Sequence, residues 1–242
     1  MAMHAGELAI GYQTRGFETE DKPDLSPVTI ADRECERLIV NRLRETFPDD
    51  GILGEEGSSY ASRNGRLWII DPIDGTRDFV RGLPLWSTLI ALEVDGQVVM
   101  GVCHMPSRNE QYSAVRGQGA WLNEKPIGIS SVSSPSQSLV CLSGLNHVAA
   151  LPFGPRTLEW ASQFWAVRSM GGCLDAMMVA SGKAEFWLEP VAKAWDLAPL
   201  KVIIEEAGGR FLNFDGGSDI RGGNCVAFVP ALEPAVRQLL SL

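Results

Sequence analysis

Long hydrophobic runs, paired cysteines and surplus positive charge are what this sequence lacks. No apolar stretch of the 242-residue chain reaches the ~20 residues that a bilayer-spanning helix needs. Residues 1–11 mix His4 and Glu7 into a short apolar stretch, without the basic start and unbroken hydrophobic core of a secretory leader, so a cytoplasmic location is expected. Cys35, Cys103, Cys141, Cys173 and Cys225 are widely spaced, odd in number and form no CxxC pair; they predict reduced, packed thiols and neither a zinc site nor a disulfide scaffold. Lysine and arginine number 21 against 30 aspartates and glutamates, a net charge of −9. That deficit argues against a nucleic-acid stripe and against attraction to anionic lipid, and leaves cations and small molecules as the expected partners. Internal repeats and low-complexity tracts are also missing.

What is present is an ordinary globular composition in a chain long enough for one large domain or two closely joined lobes. Its most informative residues are Asp71-Pro72-Ile73-Asp74-Gly75-Thr76, which follow the apolar run Leu67-Trp68-Ile69-Ile70. Two carboxylates three residues apart, at the end of a buried strand, can converge on one cation, because Pro72 fixes a backbone angle and Gly75 permits a sharp bend. Two such charges about 4 Å apart repel by about 4 kcal/mol at an effective dielectric of about 20, and a divalent cation reverses that sign. Taken alone, the hexapeptide also fits a surface turn, since Asp-Pro and Asp-Gly are common turn dipeptides.

Apolar residues at Val28, Ala31, Cys35, Leu38, Ile39, Leu43 and Phe47 predict an amphipathic helix over 28–47. Asp32 borders its buried face, where a carboxylate needs a partner. Pro48-Asp49-Asp50-Gly51 stops the helix, and Ile52-Leu53 leads to Gly54-Glu55-Glu56-Gly57, so the glutamates emerge at a second element end. Strands are expected over 85–94 and 97–104, joined by the hairpin turn Asp95-Gly96, with 111–116 and 120–122 extending the same antiparallel sheet. The serine-rich stretch 130–138, interrupted by Pro135, is the expected lobe boundary. Beyond it the pattern alternates, with strands over 139–142, 167–169, 184–188, 210–214 and 225–229 and helices over 157–165, 173–181, 195–207 and 230–240. The expectation is an N-terminal α+β lobe over 1–135 that carries most candidate ligands and a C-terminal α/β lobe over 136–242, together one compact unit.

Three acidic clusters therefore end up at element termini: Glu55-Glu56, Asp71 with Asp74, and Asp196 in Ala194-Trp195-Asp196-Leu197-Ala198-Pro199. Hard oxygen ligands of this kind select Mg²⁺ or Mn²⁺. Asp196 by itself also suits a helix cap, and Pro199 in the first turn is compatible with either role. A helix beginning near Thr76 would aim the N–H groups of Gly75 and Thr76 at phosphate oxygens, and for Thr76 the same posture serves capping. An acidic protein handling an anionic substrate needs local positive charge, which a metal together with Arg77 and Arg81 would supply.

At these residues the chain resembles the Mg²⁺-dependent, lithium-sensitive phosphatases of the inositol monophosphatase superfamily. The resemblance rests on Gly54-Glu55-Glu56, on Trp68-Ile69-Ile70-Asp71-Pro72-Ile73-Asp74-Gly75-Thr76-Arg77-Asp78-Phe79, and on Trp195-Asp196-Leu197-Ala198 running to Glu205-Glu206-Ala207-Gly208-Gly209, in the family's order and spacing. It implies an α+β fold, a layered αβαβα sandwich with an antiparallel sheet in the first lobe and mixed α/β structure in the second. It implies two or three Mg²⁺ ions, replaceable by Mn²⁺, held by Glu55, Asp71, the Ile73 carbonyl, Asp74 and Asp196, with phosphate at Gly75 and Thr76. Thr76 paired with Asp32 is implied to orient and deprotonate the attacking water, a task shared by Glu55. The leaving alcohol is implied to meet Asp74, Asp196, Glu189 and the loop Gly171-Gly172-Cys173, ahead of Met177 and Met178. A homodimer and inhibition by Li⁺ follow from the same resemblance.

Within the superfamily, Leu25-Ser26-Pro27-Val28-Thr29-Ile30-Ala31-Asp32, the stretch 77–84 and Glu189-Pro190 resemble the histidinol-phosphate phosphatase branch. A carboxylate at Glu189 facing an aminoalcohol or imidazole cation makes chemical sense, whereas inositol offers only hydroxyls; on the residues alone Glu189 is equally a strand-end surface acid. Three departures stand out. Asp78 takes a position where the family usually has Asn or Ser, Gly172 stands where histidinol-phosphate enzymes commonly place an aspartate that Asp175 replaces only if it points back, and the N-terminal helix reads as barely three turns before Gly16. The expected activity is hydrolysis of a small alcohol phosphate monoester, histidinol phosphate first and inositol monophosphate second. Nucleotide or sugar bisphosphates are more distant, because no dense Lys/Arg set is present for a second phosphate. The competing class is a catalytically weak binding or regulatory protein with a protein or RNA-processing partner, against which the intact acidic set argues.

Overall fold

The run Leu67-Trp68-Ile69-Ile70 lies in the nine-residue strand Arg66–Asp74, inside an eight-stranded sheet. The structure is a computed structural model describing residues 1–21 and 27–242. Leu25 and Ser26 of the branch-like stretch therefore lie outside the described residues. Trp68 and Ile70 point toward the helices Ala2–Arg15 and Ile30–Thr46, while Ile69 points to the opposite face, against the helix Ala194–Glu206. A strand covered on both faces is apolar at every position, which is why the run shows no alternation. Pairing in this sheet is antiparallel except where Gly51–Gly54 runs parallel to Arg66–Asp74.

The second sheet has five strands in the order Ala166–Arg168, Leu139–Leu142, Phe186–Glu189, Cys225–Phe228 and Arg210–Leu212, parallel across the first three and antiparallel thereafter. Helices Gly172–Ala180 and Ala194–Glu206 fill the space between the sheets with Met177, Val179, Leu197, Leu200 and Ile203. Helices Gly154–Ala161 and Glu233–Leu240 cover the outer face, packing Trp160, Val236 and Leu239 on Val140, Phe186 and Phe228. The layers run α, β, α, β, α, the sandwich expected. All five cysteines are buried and free, and among the described residues no helix is long and apolar enough to cross a membrane.

Several boundaries differ from expectation for physical reasons. The strand does not end at Ile70 but continues through the hexapeptide to Asp74, with a register shift between Asp71 and Asp74. Pro72 has no N–H to offer the ladder, and its carbonyl is taken by the Thr88 hydroxyl at 3.0 Å. The helix expected over 28–47 starts at Ile30, because the Thr29 hydroxyl accepts the Ala31 and Asp32 amides while Asp32 accepts the Thr29 amide, a capping box. The N-terminal helix spans 14 residues and passes straight through Gly11 to end at Gly16, longer than expected. The helix placed over 157–165 is Gly154–Ala161, started early by Pro155, and the last one is split into the short turn Pro230–Leu232 and Glu233–Leu240. A three-residue edge strand, Lys125–Ile127, carries Pro126 and gave no strand signal.

Candidate active site

Parallel pairing places the first acid. The register that sets Gly54 opposite Ile70 is continued by the Glu55 amide, which donates to the Ile70 carbonyl at 3.1 Å, so Glu55 arrives beside Asp71. The bulge then turns Asp71 and Asp74 to the same side, and Asp71 Oδ1 accepts the Ile73 amide at 3.0 Å. Asp196 is the third residue of its helix, where its Oδ2 accepts the Lys193 amide at 2.7 Å. The cap and the candidate ligand are thus the same residue. One carboxylate oxygen from each of Asp71, Asp74 and Asp196 lies within 4.8 Å of the other two. With Glu55, Ile73 and Thr76 they line a cavity of about 270 Å³.

Asp32 stands behind this cavity, fully buried, with its Oδ1 3.4 Å from the Thr76 hydroxyl; that hydroxyl also lies 3.2 Å from the Ile73 carbonyl. One hydroxyl proton serves one of these acceptors at a time. Gly75 adopts φ 85°, a left-handed turn that an L side chain would strain, and a Cβ there would meet the Leu85 carbonyl at 3.2 Å. It opens the short helix Thr76–Val80.

The electrostatics are those of acids crowded out of water. Burial drives Asp71 well above the usual carboxylate range, with Glu55, Asp74 and Asp196 adding to it. Burial, then Asp196, pushes Asp74 up to about 7, and burial raises Asp196 to about 6 against the Lys193 amide, which lowers it. Asp32 is likewise raised by burial. Crowded carboxylate oxygens that resist ionisation together are the donor set a hard divalent cation relieves, and the residues present fit such an ion.

Glu189, expected to meet the leaving alcohol, ends the strand Phe186–Glu189 and is not among the residues that line the cavity; burial pushes its carboxyl up to about 8, with Asp74 and Asp196 contributing. A Cβ added at Gly172 would lie 3.5 Å from Glu189 Oε2, and one at Gly171 would lie 3.6 Å from Asp78 Oδ2. The two consecutive glycines therefore border two carboxylates. Cys173 is buried, and its thiol donates to the Leu85 carbonyl at 3.7 Å. Asp175 does not point back to the cavity. It is buried, accepts the amides of Met170 at 3.2 Å and Gly171 at 3.3 Å, and meets the Ser143 hydroxyl at 3.3 Å, so it braces the glycine loop. Arg77 lines the cavity mouth, and Arg81 is exposed at the end of the short helix.

Two residues near the site were not singled out in the sequence. Ser143 joins Asp175 to the Trp187 indole, 3.3 Å away. Glu36, one turn after Asp32, is 2% exposed and bonds the backbone next to Glu55. The available signal for Glu36 was its spacing of four from Asp32, on the face that carries Cys35 and Ile39.

Comparison with known proteins is consistent along the whole chain. The inositol monophosphatase family model matches residues 1–238. A histidinol-phosphatase of Chlorobaculum parvum is 40% identical over 224 residues, which cover 92% of this chain and 86% of that protein. Among solved structures, the extragenic suppressor protein suhB from Bartonella henselae superposes with a TM-score of 0.90 at 28% identity, covering 99% of this chain and 95% of that one. A Thermotoga maritima IMPase superposes with a TM-score of 0.89 at 31% identity, covering 99% and 93%.

Proposed function

Because the chain belongs to the inositol monophosphatase family, we propose that it is a Mg²⁺-dependent phosphomonoester hydrolase whose substrate is a small alcohol phosphate with a positively charged alcohol part, histidinol phosphate before inositol monophosphate. The observation that carries the reading is the gathering of Asp71, Asp74 and Asp196 with Glu55 in one cavity. Asp71, Asp74, Asp196, Glu55 and the Ile73 carbonyl would hold two or three ions. When bound, the ions neutralise phosphate charge and acidify water.

The chain's own residues do the rest. Gly75 and Thr76 line the cavity and offer backbone donors to phosphate oxygens. Thr76, by donating a hydrogen bond to Asp32, turns an oxygen lone pair toward the attacking water and orients it. The attacking water loses one proton, which passes through Thr76 to Asp32, whose carboxyl burial raises, while Glu55 shares the task by accepting a hydrogen bond from the same water. Since phosphoryl transfer depends mainly on positioning and charge neutralisation, no covalent phosphoenzyme is needed.

The substrate preference draws on Glu189 and Asp78 beside the Gly171-Gly172 pair. A carboxyl pushed up to about 8 by burial, with Asp74 and Asp196 adding to it, gains most from a cationic ligand, which restores its charged form. The 40%-identical histidinol-phosphatase supports the same choice. Inositol monophosphate stays in second place rather than being dropped because Gly172 provides no acid of its own at the loop, which counts against a cationic alcohol. Phosphate release should be compared across histidinol phosphate, inositol monophosphate, nucleoside monophosphates and sugar phosphates with Mg²⁺. A tenfold preference for histidinol phosphate, about 1.4 kcal/mol in transition-state binding, is expected. Preference for inositol monophosphate would overturn the substrate assignment, and no release from any of them would favour a binding protein instead.

A further inference from the structure

We infer that Glu36 is a positioning residue for Glu55, holding the loop on which Glu55 stands just as Asp32, one turn earlier on the same helix, holds Thr76. Glu36 lies in Ile30–Thr46 with only 2% of its surface exposed. Its Oε2 accepts the Glu56 amide at 2.8 Å, and its Oε1 accepts the Ser58 amide at 3.0 Å. Gly54 makes this reach possible, because a Cβ at that position would sit 2.5 Å from the Glu36 carboxyl carbon. The Glu55 backbone is thereby fixed from both sides, by its own amide on the Ile70 carbonyl and by the next amide on Glu36.

A carboxylate suits this place better than an amide would. Both of its oxygens accept, so two backbone donors are satisfied at once by charge-assisted bonds, whereas glutamine would turn an NH₂ toward one of them. Asp32 and Glu36 are four residues apart and share one helix face. One rigid helix therefore sets the distance between Thr76 and Glu55, the two groups that the proposed function assigns to the attacking water. The inference rests on that reading of Glu55.

The test uses the full chain and Mn²⁺ as the probe, with binding measured by calorimetry and amide exchange measured on metal-free protein. Glu36→Gln is expected to weaken Mn²⁺ binding at least tenfold and to speed exchange at the Glu56 and Ser58 amides. Glu206→Gln is the matched control. Glu206 also clips two loop amides, those of Gly117 and Gly119 at 2.9 Å each, but does not line the cavity, so its loss should leave Mn²⁺ affinity unchanged. Should Glu36→Gln fail to fold, Glu36→Asp keeps the charge, shortens the reach and is expected to lose affinity likewise. A folded Glu36 variant that binds Mn²⁺ within twofold of the parent overturns the inference. Glu55→Gln separates the two levels. If it lowers affinity and Glu36→Gln does not, only the positioning role fails; if it leaves affinity unchanged, the reading of Glu55 fails and takes the positioning role with it.

Discussion

Asp71 combines the deepest burial among the gathered acids with several acidic neighbours, which makes it costly to the metal-free protein and, on the proposed function, necessary to the loaded one. Asp71→Asn keeps the oxygen that accepts the Ile73 amide while removing the charge. Phosphate release with Mg²⁺ should fall by about 10³-fold, the order of 4 kcal/mol expected for a lost charge in such a site. The same variant without metal should be more stable than the parent by about 1 kcal/mol in urea unfolding, because functional charge clusters are held against stability. Asp78 is half-buried beside Gly171, and its expected contribution is smaller. Asp78→Asn should raise KM for histidinol phosphate about fivefold, near 1 kcal/mol for a partly screened charge, with inositol monophosphate unaffected. Steady-state kinetics on both substrates separates this specific effect from a general loss.

The elements that carry these residues were legible where the signal was local. Hairpin 85–104 and the helix after Trp195 both follow from apolar period and turn chemistry. What was not legible depends on partners far along the chain. Pro72 reads as a strand stop, yet the strand continues into the bulge that aims Asp74, with Asp74 paired to Ser87 and the Pro72 carbonyl taken by the Thr88 hydroxyl sixteen residues away. Glu36 was not singled out because its amide partners are 20 and 22 residues distant. The start of the helix Ile30–Thr46 was missed although its signal is local, since Thr29 three residues before Asp32 forms a capping box whose acid also faces Thr76. Thr29→Ala should cost about 1 kcal/mol in chemical denaturation, the usual value for a lost cap. It should also reduce turnover, because Asp32 loses the hydroxyl bond of 2.6 Å that fixes its orientation.

For the whole molecule, the gathered acids link stability to pH and, on the proposed function, to metal. Asp74 at about 7 and Asp196 at about 6 lie above the ordinary aspartate value of about 3.9, so in the folded metal-free protein they hold protons that the unfolded chain has released. Their contribution to stability is complete below pH ~4 and is lost as pH rises to about 7. On the proposed function Mg²⁺ binds the ionised form, so the Tm gained on adding Mg²⁺ should be small near pH 4 and greatest at pH 7 and above. Calorimetric scans with and without Mg²⁺ across that range check the sign; a gain that shrinks with rising pH would contradict it. The sandwich makes this coupling possible by bringing acids of the first sheet, Asp71 and Asp74, against Asp196 on the helix between the sheets. The most direct measurement is an anomalous difference map from crystals soaked in Mn²⁺. Peaks within about 2.0–2.3 Å of carboxylate oxygens of Asp71, Asp74 and Asp196 are expected; a soaked crystal with no peak in that cavity would contradict the assignment of a metal-dependent phosphatase site.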